Sequence, residues 1–187
     1  MHIGIDLGGT KTESIILNEK GNELERIRKT TPKNYNGTLD TVCELVNYLE
    51  DKYEKNCSVG VGSPGALSKE TNCIKGGNST WLNDRPLKKD IELRLNRKIF
   101  LENDANCFAL SEAIDGSGKH YKIVYGIILG SGAGGGLVID KKIVSGPNGV
   151  AGEWGHNQIP YFAAKKENFD SSNAREAEIE SFVSGLG

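Results

Sequence analysis

"MHIGIDLGGTKTESIIL" (residues 1–17) decides how the rest of the chain is read. Ile3, Ile5 and Leu7 alternate with smaller or polar residues, the period-two pattern of a half-buried strand. Ile15, Ile16 and Leu17 resume it after Gly8-Gly9-Thr10-Lys11-Thr12. The pattern predicts a hairpin over roughly residues 2–18, with one acid, Asp6, at the end of its first strand. Glycines lack the Cβ that keeps an anion away from backbone N–H groups. Thr10, Lys11 and Thr12 add hydroxyl and ammonium donors for phosphate oxygens. Asp6 alone would repel phosphate; it fits if a divalent cation, held directly or through water, lies between them. An ordinary hairpin turn with a solvated Asp accounts for the same residues, so this stretch alone leaves both readings open.

Working outward, "NEKGN" (18–22) is a turn into another strand. Leu39, Val42, Val46 and Leu49 then recur at helical spacing, with Leu45 and Tyr48 widening the stripe. "CSVGVG" (57–62) reads as a buried strand ending in Ser63-Pro64-Gly65. Pro86 suits the first turn of a helix carrying Leu87, Ile91 and Leu95. "KIFL" (98–101) reads as a strand leading to a helix at "NDANCFALSEA". Hairpin, strands and helices together make an α/β lobe. "DGSGKH" (115–120) is the expected boundary, dividing the chain into 1–117 and 118–187. Beyond it the pattern partly restarts: "KIVYGIIL" a strand, "GSGAGGG" a turn, "LVID" a strand. Two strand–glycine turn–strand units, at 5–17 and 124–139, imply two related lobes, the second unfinished.

The composition narrows the function classes. The 187 residues carry 23 basic and 25 acidic side chains, a net charge of −2, and give no electrostatic case for nucleic acid or an anionic membrane. Apolar runs are far too short to span a bilayer. The start lacks the charged and apolar regions of a signal peptide. Cys43, Cys57, Cys73 and Cys107 are scattered, with no C-x-x-C pair, and read as free thiols of a reducing cytoplasm.

Three further motifs carry chemistry. "GSGAGGG" (130–136), with Ser131 as the hydroxyl, is a second phosphate cradle or a flexible bend. "LENDANCFALSEA" sets Asn103 and Asp104 where a strand gives way to a helix, a place for an N-cap or for a ligand crevice. There Asp104 could take the proton from a substrate hydroxyl attacking phosphorus. "GVAGEWGHNQIP" packs Glu153, Trp154, His156 and Asn157 between glycines, as a surface turn or as contacts for a hydroxyl-rich ligand. Glu178 and Glu180 in "AEIESF" read as solvated helix positions.

Taken in order, "GIDLGGTKT", "VGSPG", "NSTWLN", "ENDANCFALSEA", "LGSGAGGG" and "AGEWGHN" resemble the ROK family of sugar kinases. Within it the likeness is greatest to bacterial fructokinase/mannokinase-type hexose kinases, with N-acetylglucosamine kinase a near neighbour. The resemblance implies an actin-like, ribonuclease-H-like ATPase fold of two lobes with the active site in the cleft. It implies transfer of the ATP γ-phosphoryl group to a hexose hydroxyl with magnesium, most readily to fructose, with mannose or glucose next. Matched residue by residue, Asp6, Gly8, Gly9, Thr10 and Lys11 form the first phosphate loop, Asp6 also serving magnesium. Gly130, Ser131 and Gly132 form the second, where the family usually has Thr in place of Ser131. Asp104 matches the catalytic base. Asn103, Glu153, His156 and Glu180 match sugar contacts, with Gly65 and Asn78 as further candidates.

The chain departs from that pattern twice. The family's cysteine-rich segment holds a structural zinc with the histidine of the "GH" motif. Here Ser171, Asn173 and Glu178 stand where the cysteines would be, so zinc is not expected. The family also continues past this point with the adenosine-binding wall and most second-lobe helices. The expectation is therefore an ATP-dependent hexose kinase seen as a short chain, exposing apolar surface that favours a homodimer or a complementary C-terminal chain. The competing expectation is a non-catalytic sugar-binding remnant or sensor.

Overall fold

The computed structural model describes residues 1–130, 132–158 and 178–184. Two compact units divide the chain, Met1–Asp104 and Ala105–Gly187.

The first unit is built on the predicted hairpin. Strands β1 (His2–Leu7) and β2 (Lys11–Leu17) pair antiparallel from His2↔Leu17 to Leu7↔Thr12, so Lys11 and Thr12 already belong to β2. Strand β3 (Glu23–Thr30) adds to β2, and β4 (Ser58–Ser63) and β7 (Phe100–Asn103) extend the other side in parallel. The resulting order is β3-β2-β1-β4-β7. A small hairpin of β5 (Ala66–Leu67) and β6 (Ile74–Lys75) follows β4.

Helix α1 (Tyr35–Tyr53) starts where the Asn34 side chain caps the Gly37 N–H and ends at left-handed Glu54. Its Leu39, Val42, Leu45, Val46 and Leu49 are buried with Ile3, Ile5, Leu7, Ile16, Val59 and Val61 in one core. Tyr48, placed on the apolar stripe by spacing, is instead half exposed. Helix α2 (Leu87–Leu95) adds Leu87 and Ile91 to that core, and Pro86 stands just before its first turn. Truncating any of these buried aliphatics to Ala would cost about 2–5 kcal/mol.

The parallel pairings align three strand ends. Asp6 sits opposite Gly62, Gly62 opposite Glu102, and Ser63 opposite Asn103. The carboxyl ends of β1, β4 and β7 thus share one edge, where loops rather than ladder bonds take over and ligands of open α/β sheets bind.

The second unit repeats the meander. Strands β8 (Ile123–Leu129), β9 (Ala133–Ile139) and β10 (Lys142–Ile143) form an antiparallel sheet in the order β10-β9-β8. Helix α3 (Asp104–Ile114) buries Ala109 and Ala113 with Val138. A Cβ on Gly136 would stand 2.6 Å from the Ala105 carbonyl oxygen, and one on Gly126 would stand 2.9 Å from the Ala109 Cβ. Most of the glycine run is therefore strand, not turn: β9 begins at Ala133, and Gly136, with Gly126 of β8, lets α3 approach the sheet. Because the alanine face of α3 packs on β8 and β9, the units divide at Asp104/Ala105 rather than at the glycine-rich 115–120 stretch. A short helix, α4 (Glu180–Val183), closes the described chain.

In the first unit β1 is a central strand covered by α1. Its counterpart β8 is an edge strand, and Ile123, Tyr125, Ile127 and Leu129 are all exposed on one face. No helix among the described residues is long and apolar enough to cross a membrane.

Candidate functional site

The first glycine turn is tight because the hairpin closes on itself: the Gly8 N–H donates to the Lys11 carbonyl at 3.0 Å. A Cβ on Gly8 would lie 2.7 Å from that oxygen, and one on Gly9 would lie 2.9 Å from Ser79 Oγ. Space rather than backbone angle requires glycine at position 8, where the obstacle is backbone; at Gly9 it is only the tip of a Ser side chain. Thr10 and Lys11 are exposed at the turn. Thr12 is not available to a ligand: it is fully buried, its hydroxyl 2.8 Å from that of Thr31. The Thr31 hydroxyl donates to the Gly8 carbonyl at 2.8 Å, and the Thr31 N–H donates to the Thr10 carbonyl at 3.0 Å. Thr31 thus braces the turn from the end of β3, a role no local motif announced.

Asp6 is reachable by solvent, yet the surrounding strand ends take away part of its water. With negative Glu13 opposite, that desolvation holds the Asp6 carboxyl above the usual carboxylate range, against the pull of Arg28. Glu13 itself is held low by hydrogen bonds from Arg26 and Arg28. A hard divalent cation beside Asp6 would relieve the strain on its negative charge, and carboxylate oxygen is the right donor for magnesium. The donor type, the electrostatics and a turn with no room for Cβ atoms all fit a magnesium–phosphate group.

Along the same sheet edge, the structure joins three of the expected residues. Gly65 has φ of +78°, and a Cβ there would stand 2.5 Å from the Lys75 carbonyl oxygen. Its own carbonyl accepts from Asn103 Nδ2 at 3.2 Å, and the same amide nitrogen lies 3.2 Å from Asp104 Oδ1. Asn103, the last residue of β7, is buried, and half-buried Asp104 opens α3. Ser63, one residue into the same edge, has a buried hydroxyl with no hydrogen-bond partner among the described residues.

Asn78 is exposed, and its carbonyl accepts from the Thr80 N–H, while neighbouring Ser79 is the residue facing Gly9. The rest of "NSTWLN" is structural. Trp81 Nε1 donates to Thr38 at 3.0 Å, and the Asn83 amide exchanges two 3.0 Å bonds with the Gly77 backbone.

In the second unit, the Gly130 N–H donates to the Gly132 carbonyl at 2.9 Å, closing the second turn; Ser131 lies outside the described residues. The loop carrying Glu153 and His156 lies flat on β9. A Cβ on Gly155 would fall 2.1 Å from the Ala133 carbonyl oxygen, and Trp154 Nε1 donates to the Gly134 carbonyl at 2.8 Å. Glu153 is partly buried. Glu180 reaches the second turn, where its Oε2 accepts from the Ala133 N–H at 2.7 Å.

Glu178, read from sequence as a solvated helix position, lies 2.9 Å through Oε2 from His156 Nδ1. That bond, with the charges of Glu178, Glu180 and Glu153, holds His156 protonated to higher pH than an ordinary imidazole, although partial burial pulls the other way. The segment expected to lose its zinc includes Ser171 and Asn173, which lie outside the described residues. Among the described residues no three His, Cys, Asp or Glu side chains group as a metal site.

The sheet of each unit and the glycine turns between paired strands define an actin-like ATPase fold. It is shared with a ROK-family glucokinase from Streptomyces griseus, solved with glucose and AMPPNP (32% identity, TM-score 0.77, 85% of this chain and 51% of that one). It is also shared with a ROK hexokinase from Thermus thermophilus (26% identity, TM-score 0.79, 99% of this chain and 60% of that one).

Residues 2–185 match the ROK family, and the chain belongs to it. Similar proteins include the N-acetyl-D-glucosamine kinases of Haemophilus influenzae (39% identical) and Histophilus somni (40% identical). Each aligns with all of this chain, which spans 64% of the relative's own length.

Proposed function

We propose that the chain carries the sugar and phosphate sites of an ATP-dependent hexose kinase. The observation that carries this reading is the Gly65–Asn103–Asp104 arrangement on the same strand edge as Asp6 and its glycine turn. Asp104 is the general base: its carboxylate takes the proton from the sugar hydroxyl as that oxygen attacks the γ-phosphorus, the bond from that phosphorus to the bridging oxygen breaks, and ADP leaves. Such a base contributes about 10²–10⁴-fold. The Asn103 amide, anchored on the Gly65 carbonyl, holds Asp104 in place, and Asn103 also contacts the sugar. Thr10 and Lys11 bind phosphate oxygens, Gly130 and Gly132 shape the second turn, and Ser131 adds a hydroxyl there. Asp6 would hold magnesium, which when bound neutralises phosphate charge. Glu153, His156 and Glu180 contact the sugar.

The relatives named above favour N-acetyl-D-glucosamine as the substrate. Fructose, ranked first from motif likeness, receives no specific support from them and drops behind it. A hydrogen-bonding site of this kind rejects a sugar lacking a matched hydroxyl strongly. Coupled ADP-release assays over N-acetyl-D-glucosamine, glucose, mannose and fructose test both points. Turnover fastest on N-acetyl-D-glucosamine supports the reading, and fructose ahead of it reverses the ranking.

A further inference from the structure

We propose that Glu178 is the positioning residue for His156, fixing its ring so that Nε2 is the nitrogen presented to substrate. The inference rests on the sugar-contact role proposed for His156. An ionised carboxylate only accepts, so the 2.9 Å contact places the ring proton on Nδ1. The ring is 56% exposed at the side chain, and its partner Glu178 only 26%. One end of the imidazole is therefore held on a ring that is more than half exposed.

Glu178 is not needed to dock its own segment. The backbone does that: Gln158 and Glu178 form a β-bridge, the Ile179 N–H donates to the Asn157 carbonyl at 2.9 Å, and the Glu180 N–H donates to the Gly155 carbonyl at 2.8 Å. With the segment already paired, the Glu178 carboxylate acts on the ring alone. Two residues on, Glu180 turns the other way and accepts from the Ala133 N–H. The two carboxylates of one short segment thus reach the histidine loop and the second glycine turn.

The test compares wild type, Glu178→Ala, Glu178→Asp, His156→Ala and the double variant. Imidazole ¹⁵N shifts of His156 in the ligand-free chain report which nitrogen carries the proton. Calorimetry with N-acetyl-D-glucosamine and with glucose reports affinity. At a pH where the ring is neutral, the wild-type proton sits on Nδ1; in Glu178→Ala it redistributes toward Nε2, and sugar affinity falls about tenfold. Glu178→Asp recovers part of both. In the His156→Ala background, removing Glu178 changes affinity no further, because its effect passes through the ring. An unchanged proton position in Glu178→Ala, or an equal affinity loss in both backgrounds, overturns the proposal. If wild type binds neither sugar, the sugar-contact reading of His156 fails, and the ¹⁵N comparison still decides whether Glu178 positions the ring.

Discussion

Replacing Thr31 by Val removes one hydroxyl and keeps the side-chain shape. Thr31 is 3% exposed, and its hydroxyl sits between the Gly8 carbonyl and the fully buried Thr12 hydroxyl, 2.8 Å from each. Val would leave Thr12 without its partner in a dry site, a loss of about 1–3 kcal/mol. The Gly8 carbonyl is only partly buried, so water can replace its lost bond and the further cost is about 0.5–1 kcal/mol. The expected total is about 1.5–4 kcal/mol against the first unit. Thr31→Ser keeps the hydroxyl and should lose about 1 kcal/mol for the missing methyl. Removing both hydroxyls in Thr12→Val/Thr31→Val should cost less than Thr31→Val alone, because no orphan remains between them.

Urea unfolding followed by Trp fluorescence in a Trp154→Phe background reports on Trp81, which lies in the first unit. The midpoint should fall at constant slope. A Thr31→Val midpoint within about 0.5 kcal/mol of wild type, or a double variant much weaker than the single, would refute the bracing role.

Asp104→Asn should keep sugar affinity within a few-fold while turnover drops about 10²–10⁴-fold, since Asn retains shape but takes no proton; turnover near wild type in an active preparation removes Asp104 as the base. Gly65→Ala puts a Cβ 2.5 Å from the Lys75 carbonyl oxygen at φ of +78° and should cost about 2 kcal/mol or more in urea unfolding; a neutral effect would mean the turn relaxes freely. His156 titrates above an ordinary imidazole, so stability from its charged bond to Glu178 is fully present below the ordinary imidazole range and lost as pH rises through the raised value; an NMR titration of His156 with a midpoint below the ordinary value contradicts this sign. The exposed Ile123, Tyr125, Ile127 and Leu129 face predicts concentration-dependent self-association, reduced by Ile127→Lys; light scattering showing a monomer at every concentration excludes it.

Short-range patterns made much of this protein legible in one dimension. Alternation over Ile3, Ile5 and Leu7 marked β1, and the spacing of Leu39, Val42, Val46 and Leu49 marked α1, because burial on one face imposes the period of the element. Adjacent Asn103 and Asp104 marked the strand-to-helix junction, and the ordered set of motifs pointed to the ROK family. Patterns failed where one composition serves two geometries. Gly134, Gly135 and Gly136 look like a loop, but they are strand residues: a helix lying on Gly136 leaves it no room for a side chain, and the loop at Gly152 and Trp154 does the same to Gly135. Thr12 looks like a phosphate donor, but as the first inward residue of β2 it faces the core.

Other roles depend on residues far apart in the chain. Thr31 reaches Gly8 only through the pairing of β2 with β3, and Asn103 reaches Gly65 only because β7 lies in parallel register on β4. Glu178 finds His156 through a single β-bridge at Gln158. A one-residue slip in a strand register turns a side chain to the opposite face, and local composition is nearly indifferent to such a slip. The residue types at the turn, at the strand-to-helix junction and in the histidine loop therefore belong to the sequence alone. Which of them support the site and which are left to touch a ligand depends on strand register, and so on the folded chain.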